Sequence, residues 1–168
     1  MLFRSKNAAG LQWAKEFAAI TALERLISWC NDRSIGVRFC KAAGAEYDSS
    51  TRCIKINCHL LPEKQLYILL HECGHYLIGD KEKHERFGMG YPQHNAGPAI
   101  KRTFHHRCDI VDEELEAWHR GWKLGKRLGL RVDKSEFDRL RTSLLKSYFK
   151  WALRIDGYGA DNLESDAV

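Results

Sequence analysis

Five residues, His71-Glu72-Cys73-Gly74-His75, constrain this chain more than any other stretch. They lie in a run where Leu66, Leu69, Leu70, Cys73 and Leu77 recur at spacings of three and four, the apolar stripe of a helix packed on a core. Residues four apart on a helix stand one turn above each other, so His71 and His75 share a face and Glu72 stands beside the first of them. Pro62 suits the first turn of this helix and Gly79-Asp80 its end. Both histidines fall with Tyr67 and Ile78 on a stripe bordering the buried face, where they can line a cleft. Two imidazoles so placed can reach one metal ion, and a carboxylate beside the first can meet its bound water. The alternative is two half-buried histidines that merely pack, and a third ligand elsewhere in the chain would separate the two readings.

A catalytic zinc keeps three protein ligands and one open position. The segment from Asp109 to Leu130 offers Glu113, Glu114 and Glu116. At about 100° per residue, Val111, Ala117, Trp118, Gly121, Trp122 and Gly125 fall within roughly 80° of Glu114. Glu114 therefore holds the centre of the apolar face and Glu113 its edge, whereas Glu116, His119, Arg120, Lys123, Lys126 and Arg127 form a charged outer face. A carboxylate on a buried face is costly unless paired or metal-bound. The ion is one partner for Glu114, and an arginine or a helix cap is the alternative. Ala117 and Gly121 would let this helix approach closely. Glu113 stands as the second choice of ligand, while Glu116 would require the helix to turn its tryptophans towards water.

At these residues the chain resembles the gluzincin metallopeptidases, and among them the compact ImmA/IrrE-type domain. The resemblance is carried by Ile54-Lys55-Ile56-Asn57, Leu60-Leu61-Pro62-Glu63, the His71-to-His75 run with its Tyr76-Leu77 continuation, and Glu114-Leu115-Glu116-Ala117. It implies an α+β, zincin-like domain in which a short antiparallel sheet or hairpin packs on a metal-binding helix and further helices. It also implies zinc as cofactor, His71, His75 and Glu114 as ligands, and Glu72 as the general base that takes a proton from the attacking water. The chain departs from the family pattern at Trp118, where members often carry asparagine, and over Gly121 to Lys126, where they often run apolar to a proline.

A length of 168 residues with 44% hydrophobic content suits one soluble domain with a single core. That domain is expected over 1–155, followed by an acidic tail over 156–168. The first residues lack the apolar core of a secretory signal, and no apolar run approaches a membrane span, so a cytoplasmic protein with no membrane partner is expected. Cys30, Cys40, Cys53, Cys58, Cys73 and Cys108 then read as free thiols. A second zinc site around Cys40, Cys53, Cys58 and His59, or a Cys40–Cys53 disulfide, are the alternatives. A net charge of +5, spread over the central segment and the glutamate helix, also suits nucleic acid as a partner. No helix-turn-helix or zinc-knuckle spacing supports a DNA-binding module.

Elsewhere the periodicity predicts a helix from Leu11 to Cys30, a strand from Ile35 to Cys40, and an antiparallel hairpin joining Ala45-Glu46-Tyr47 to Thr51–Ile56 across Asp48-Ser49-Ser50. The hairpin either pairs with extended substrate or only covers the core. Residues 80–108 read as a long basic loop and a candidate lid. Tyr91, His94, His105 and His106 are its candidate donors to an oxyanion. A last helix over 135–153 places Phe137, Leu140, Leu144, Leu145, Tyr148, Trp151 and Ala152 on one side, to cover the core or an oligomer interface. Together these residues point to a zinc-dependent peptidase acting on a protein or peptide. The alternatives are a metal-stabilised binding module that does not cleave and a nucleic-acid-associated protease. Two histidines and a carboxylate also suit non-haem iron, but Glu72 directly after the first ligand matches hydrolysis.

Overall fold

The computed structural model describes residues 4–41, 44–79 and 103–153. Among them are α1 (Arg4–Asn31), β1 (Gly36–Cys40), β2 (Glu46–Asp48), β3 (Cys53–Asn57), α2 (Pro62–Ile78), α3 (Phe104–Arg127) and α4 (Lys134–Ala152). The class is α+β, with a small sheet set against the helices.

Ile54 and Ile56 point to one side of β3 and are fully buried, which gives this strand the protected centre of the order β1-β3-β2. The expected hairpin forms, with Tyr47 opposite Ile54 and Asp48 opposite Cys53 in antiparallel register. Its turn is held by Asp48, whose carboxylate accepts from the Ser50 backbone N–H at 2.9 Å and the Thr51 hydroxyl at 2.7 Å. β1 joins β3 in parallel, with Gly36 opposite Cys53 and Cys40 opposite Asn57. The sheet is therefore mixed rather than purely antiparallel, because the apolar β3 takes the middle and leaves the more exposed β1 and β2 as edges. This register sets Cys40 four residues along the ladder from Cys53, about 13 Å, which excludes a disulfide between them. All six cysteines are free.

α1 buries Ala22, Leu23, Leu26 and Cys30 but leaves Trp13 and Phe17 largely exposed, stacked on each other at 5.6 Å. The helix thus buries only part of its large apolar residues. Trp13 and Phe17 lie roughly half a turn around the helix from Leu26, because a chain of three- and four-residue steps drifts when extended over many turns. No helix among the described residues is long and apolar enough to cross a membrane.

α2 is the central helix, in contact with α1, β2, β3, α3 and α4. Pro62 starts it, and Gly79, at a φ of 70°, ends it. α3 begins earlier than apolar periodicity suggests, because the Thr103 hydroxyl accepts from the His106 backbone N–H at 3.2 Å and caps it. His105, His106, Arg107 and Cys108 are consequently helical, not part of a loop. The rest of the candidate lid, 80–102, and the tail over 156–168 lie outside the described residues, which end at 153. α4 is capped by Asp133, which accepts from the Ser135 and Glu136 backbone N–H groups, and Arg107 Nε donates to the Ala152 carbonyl at 3.0 Å, tying its end to α3.

Candidate metal centre

The site exists because α2 and α3 touch backbone to backbone. A methyl at Gly74 would stand 1.9 Å from the Ala117 carbonyl oxygen, and one at Gly121 would stand 2.3 Å from that of Leu70. Only glycine permits such an approach. Glu114 stands one turn before Ala117 on α3, and His71 and His75 straddle Gly74 on α2, so the contact sets the carboxylate against both imidazoles.

The resulting distances are short. His71 Nε2 lies 3.2 Å from Glu114 Oε2, His75 Nε2 lies 3.5 Å from Glu114 Oε1, and the two Nε2 atoms are 3.3 Å apart. A tetrahedral zinc with arms of about 2.0–2.1 Å requires donor separations of about 3.3–3.4 Å. The two imidazole nitrogens have that separation, each meets a different oxygen of Glu114, and one ligand atom from each of the three side chains lies within 4.8 Å of the others, so the group could hold a metal ion. Among the described residues no other group of three or more such side chains is arranged to hold a metal. Cys40, Cys53, Cys58 and His59 do not assemble a second site. Cys73, within the motif, faces the core, its sulfur 3.5 Å from that of Cys30.

Two further side chains hold the histidines. Glu113 Oε1 lies 3.1 Å from His75 Nδ1, on the ring edge away from the other donors. Glu113 is thus a partner of His75 and not a member of the group that could hold a metal ion. His71 lies flat on Trp118, with ring centroids 4.3 Å apart and an interplanar angle of 19°. Its Nδ1 is buried without a hydrogen-bond partner among the described residues. Trp118, read from the sequence as core and as a departure from the family pattern, is at once core and the platform for His71. Glu116 points away as expected and pairs with Arg120 at 2.8 Å.

Electrostatics follow from this crowding. Burial disfavours charge on His75, but hydrogen bonds to Glu113 and Glu114, with the field of Glu72, push its pKa up to about 10. Burial alone would raise the Glu114 carboxyl, yet its bonds to His71 and His75 hold it well below the usual carboxylate range. In the metal-free fold the charge on His75 stabilises fully below the ordinary value of 6.5, and that contribution is lost as pH rises through about 10. A metal ion held by His75 would have to displace this proton. Affinity for a divalent metal ion is therefore expected to rise about tenfold per pH unit through neutrality, with about one proton released per ion. Calorimetry in buffers of differing ionisation enthalpy counts that proton, and an affinity flat between about pH 6 and about pH 8 would contradict a protonated His75.

Glu72 is buried beside His71, and its charge reaches both His75 and Tyr148. Of the candidate oxyanion donors, Tyr91 and His94 lie outside the described residues. His105 has an exposed side chain paired with Asp109 at 3.5 Å, and His106 is buried on α3. Tyr148, missed as a site residue, projects from α4 on the face it shares with the buried Leu145 and Ala152. Burial, the charge of Glu114 and a hydrogen bond to it raise the Tyr148 pKa well above the ordinary tyrosine range. Nothing in the sequence distinguishes this tyrosine from the apolar stripe around it.

Comparison with family models, with curated proteins and with solved structures finds no match to this chain.

Proposed function

We propose that the protein is a zinc-dependent metallopeptidase of the gluzincin type, resembling the ImmA/IrrE-like domain, that hydrolyses a peptide bond of a protein or peptide substrate. The observation that carries this reading is the convergence of His71, His75 and Glu114, with one ligand atom from each within 4.8 Å of the others, and the buried Glu72 alongside. Bound by these three residues, zinc would supply Lewis acidity to a water and to the scissile carbonyl. Glu72 takes the proton from the attacking water and returns it to the leaving amine. Tyr148 keeps its own proton well above neutrality and donates a hydrogen bond to the oxygen that becomes negative, the role expected from the sequence for the segment after α2. Among the described strands β2 lies at an edge of the sheet, packed on α2, where an extended substrate would add as a further strand. Six free cysteines suit a reducing compartment such as the cytoplasm.

The test is metal content together with turnover on an unfolded protein substrate. Purified protein is expected to carry about one zinc per chain and to cleave that substrate. Chelation should abolish cleavage and added zinc restore it. Stoichiometric zinc without cleavage of any unfolded protein would favour the non-cleaving binding module instead. Cleavage untouched by chelation would remove the metal from the mechanism.

A further inference from the structure

We infer that Glu113 is a positioning residue for His75, accepting the Nδ1–H of its ring and so presenting Nε2 to the metal. This rests on the metal reading above and is independent of whether the protein turns over a peptide.

A neutral imidazole carries one proton on two nitrogens, and the nitrogen facing a carboxylate keeps it, which leaves the lone pair on the other. For His75 the two edges face different carboxylates. Glu113 Oε1 is 3.1 Å from Nδ1, while Nε2 is turned towards His71 Nε2 at 3.3 Å and Glu114 Oε1 at 3.5 Å. Glu113 and Glu114 are adjacent on α3 and both buried, but a rotation of about 100° between them sends one to the outer edge of the ring and the other to the metal edge. Glu113 is thereby excluded from the donor triad by position, although it is chemically identical to Glu114.

His71 is held by a different device. Its ring stacks on Trp118, which fixes the plane, and its Nδ1 meets no acceptor among the described residues. A stacking face does not choose which nitrogen bears the proton, and a carboxylate does. Loss of the Glu113 carboxylate should therefore disturb His75 and leave His71 as it is.

The experiment compares wild type, Glu113→Gln and Glu113→Ala by zinc competition against a chromophoric chelator, and reads the imidazole nitrogens of the zinc-loaded proteins by NMR. Wild type should show His75 bound through Nε2, with a slowly exchanging Nδ1–H. Glu113→Ala should bind zinc about 10–100-fold more weakly at unchanged stoichiometry and lose that slow proton, with the His71 signals unmoved. Glu113→Gln keeps an acceptor oxygen and should retain the slow proton and most of the affinity. Wild-type coordination through His75 Nδ1 overturns the assignment without any variant. So does a Glu113→Ala protein of wild-type affinity with unchanged His75 signals. A folded Glu113→Ala protein that binds no zinc overturns it too, because Glu113 would then be a ligand. A wild type that binds no zinc removes the metal reading itself, and this inference with it.

Discussion

Glu72→Gln is expected to bind zinc as the wild type does and to lose peptide hydrolysis by about 10²–10⁴-fold, the usual contribution of a general base. Two opposed demands meet at this residue. Its side chain is buried in a packed helix, so any substitution must preserve volume and polarity, which glutamine does. The amide cannot accept the proton of the attacking water, which glutamate can. Loss of turnover with metal retained therefore isolates the base from the ligands, and about 10²–10⁴-fold corresponds to about 3–5 kcal/mol of transition-state stabilisation. His75→Ala, by contrast, should lose zinc and turnover together. Both are read from kcat/KM on one substrate beside metal content, and a Glu72→Gln protein with wild-type kcat/KM and chelator-sensitive activity would end the assignment of Glu72 as base.

Gly74→Ala is expected to destabilise the fold by about 2 kcal/mol or more and to weaken zinc binding at least about tenfold. In an unpacked helix the sign would be opposite, since alanine is favoured over glycine by about 1 kcal/mol. Packing reverses it here. The new methyl would stand 1.9 Å from the Ala117 carbonyl oxygen and 2.9 Å from its Cα, and these are backbone atoms that cannot swing aside as a side chain could. α2 and α3 must separate, and Glu114 moves away from His71 and His75 with its helix. A methyl at Gly10 in α1 would meet nothing within 4 Å among the described residues, so Gly10→Ala should be neutral or slightly stabilising. Urea titration of both variants gives the comparison. Equal behaviour at the two positions would mean that the close contact does not hold α2 to α3.

α2 was legible because its apolar period, its starting proline and its terminal glycine all agree within one short segment. Glu114 was legible for a related reason: its face of α3 carries Ala117 and Gly121, and a carboxylate on such a face must meet something. The start of α3 was harder, since a run of histidine, arginine and cysteine carries no apolar period and the deciding signal is one hydroxyl, that of Thr103, turned back on the chain. The parallel pairing of β1 with β3 was likewise hidden, because strand direction depends on which strand wins the centre of the sheet. Tyr148 and Trp118 read as members of apolar stripes. Both are, yet one also reaches Glu114 and the other supports the ring of His71.

The local order of residues by itself determined which side chains share a face: His71 with His75, Glu114 with Ala117 and Gly121, Ile54 with Ile56. Helix and strand geometry repeat over a few residues, so those relations need no knowledge of the rest of the chain. Only the tertiary structure decided which of two adjacent glutamates meets the Nε2 edge of His75 and which its Nδ1 edge, and that α4 brings Tyr148 to the same place. Those outcomes depend on the rotation and separation of whole helices. At this site both are set by the backbone contact of Gly74 with Ala117, made between segments far apart in sequence and invisible to the period of either.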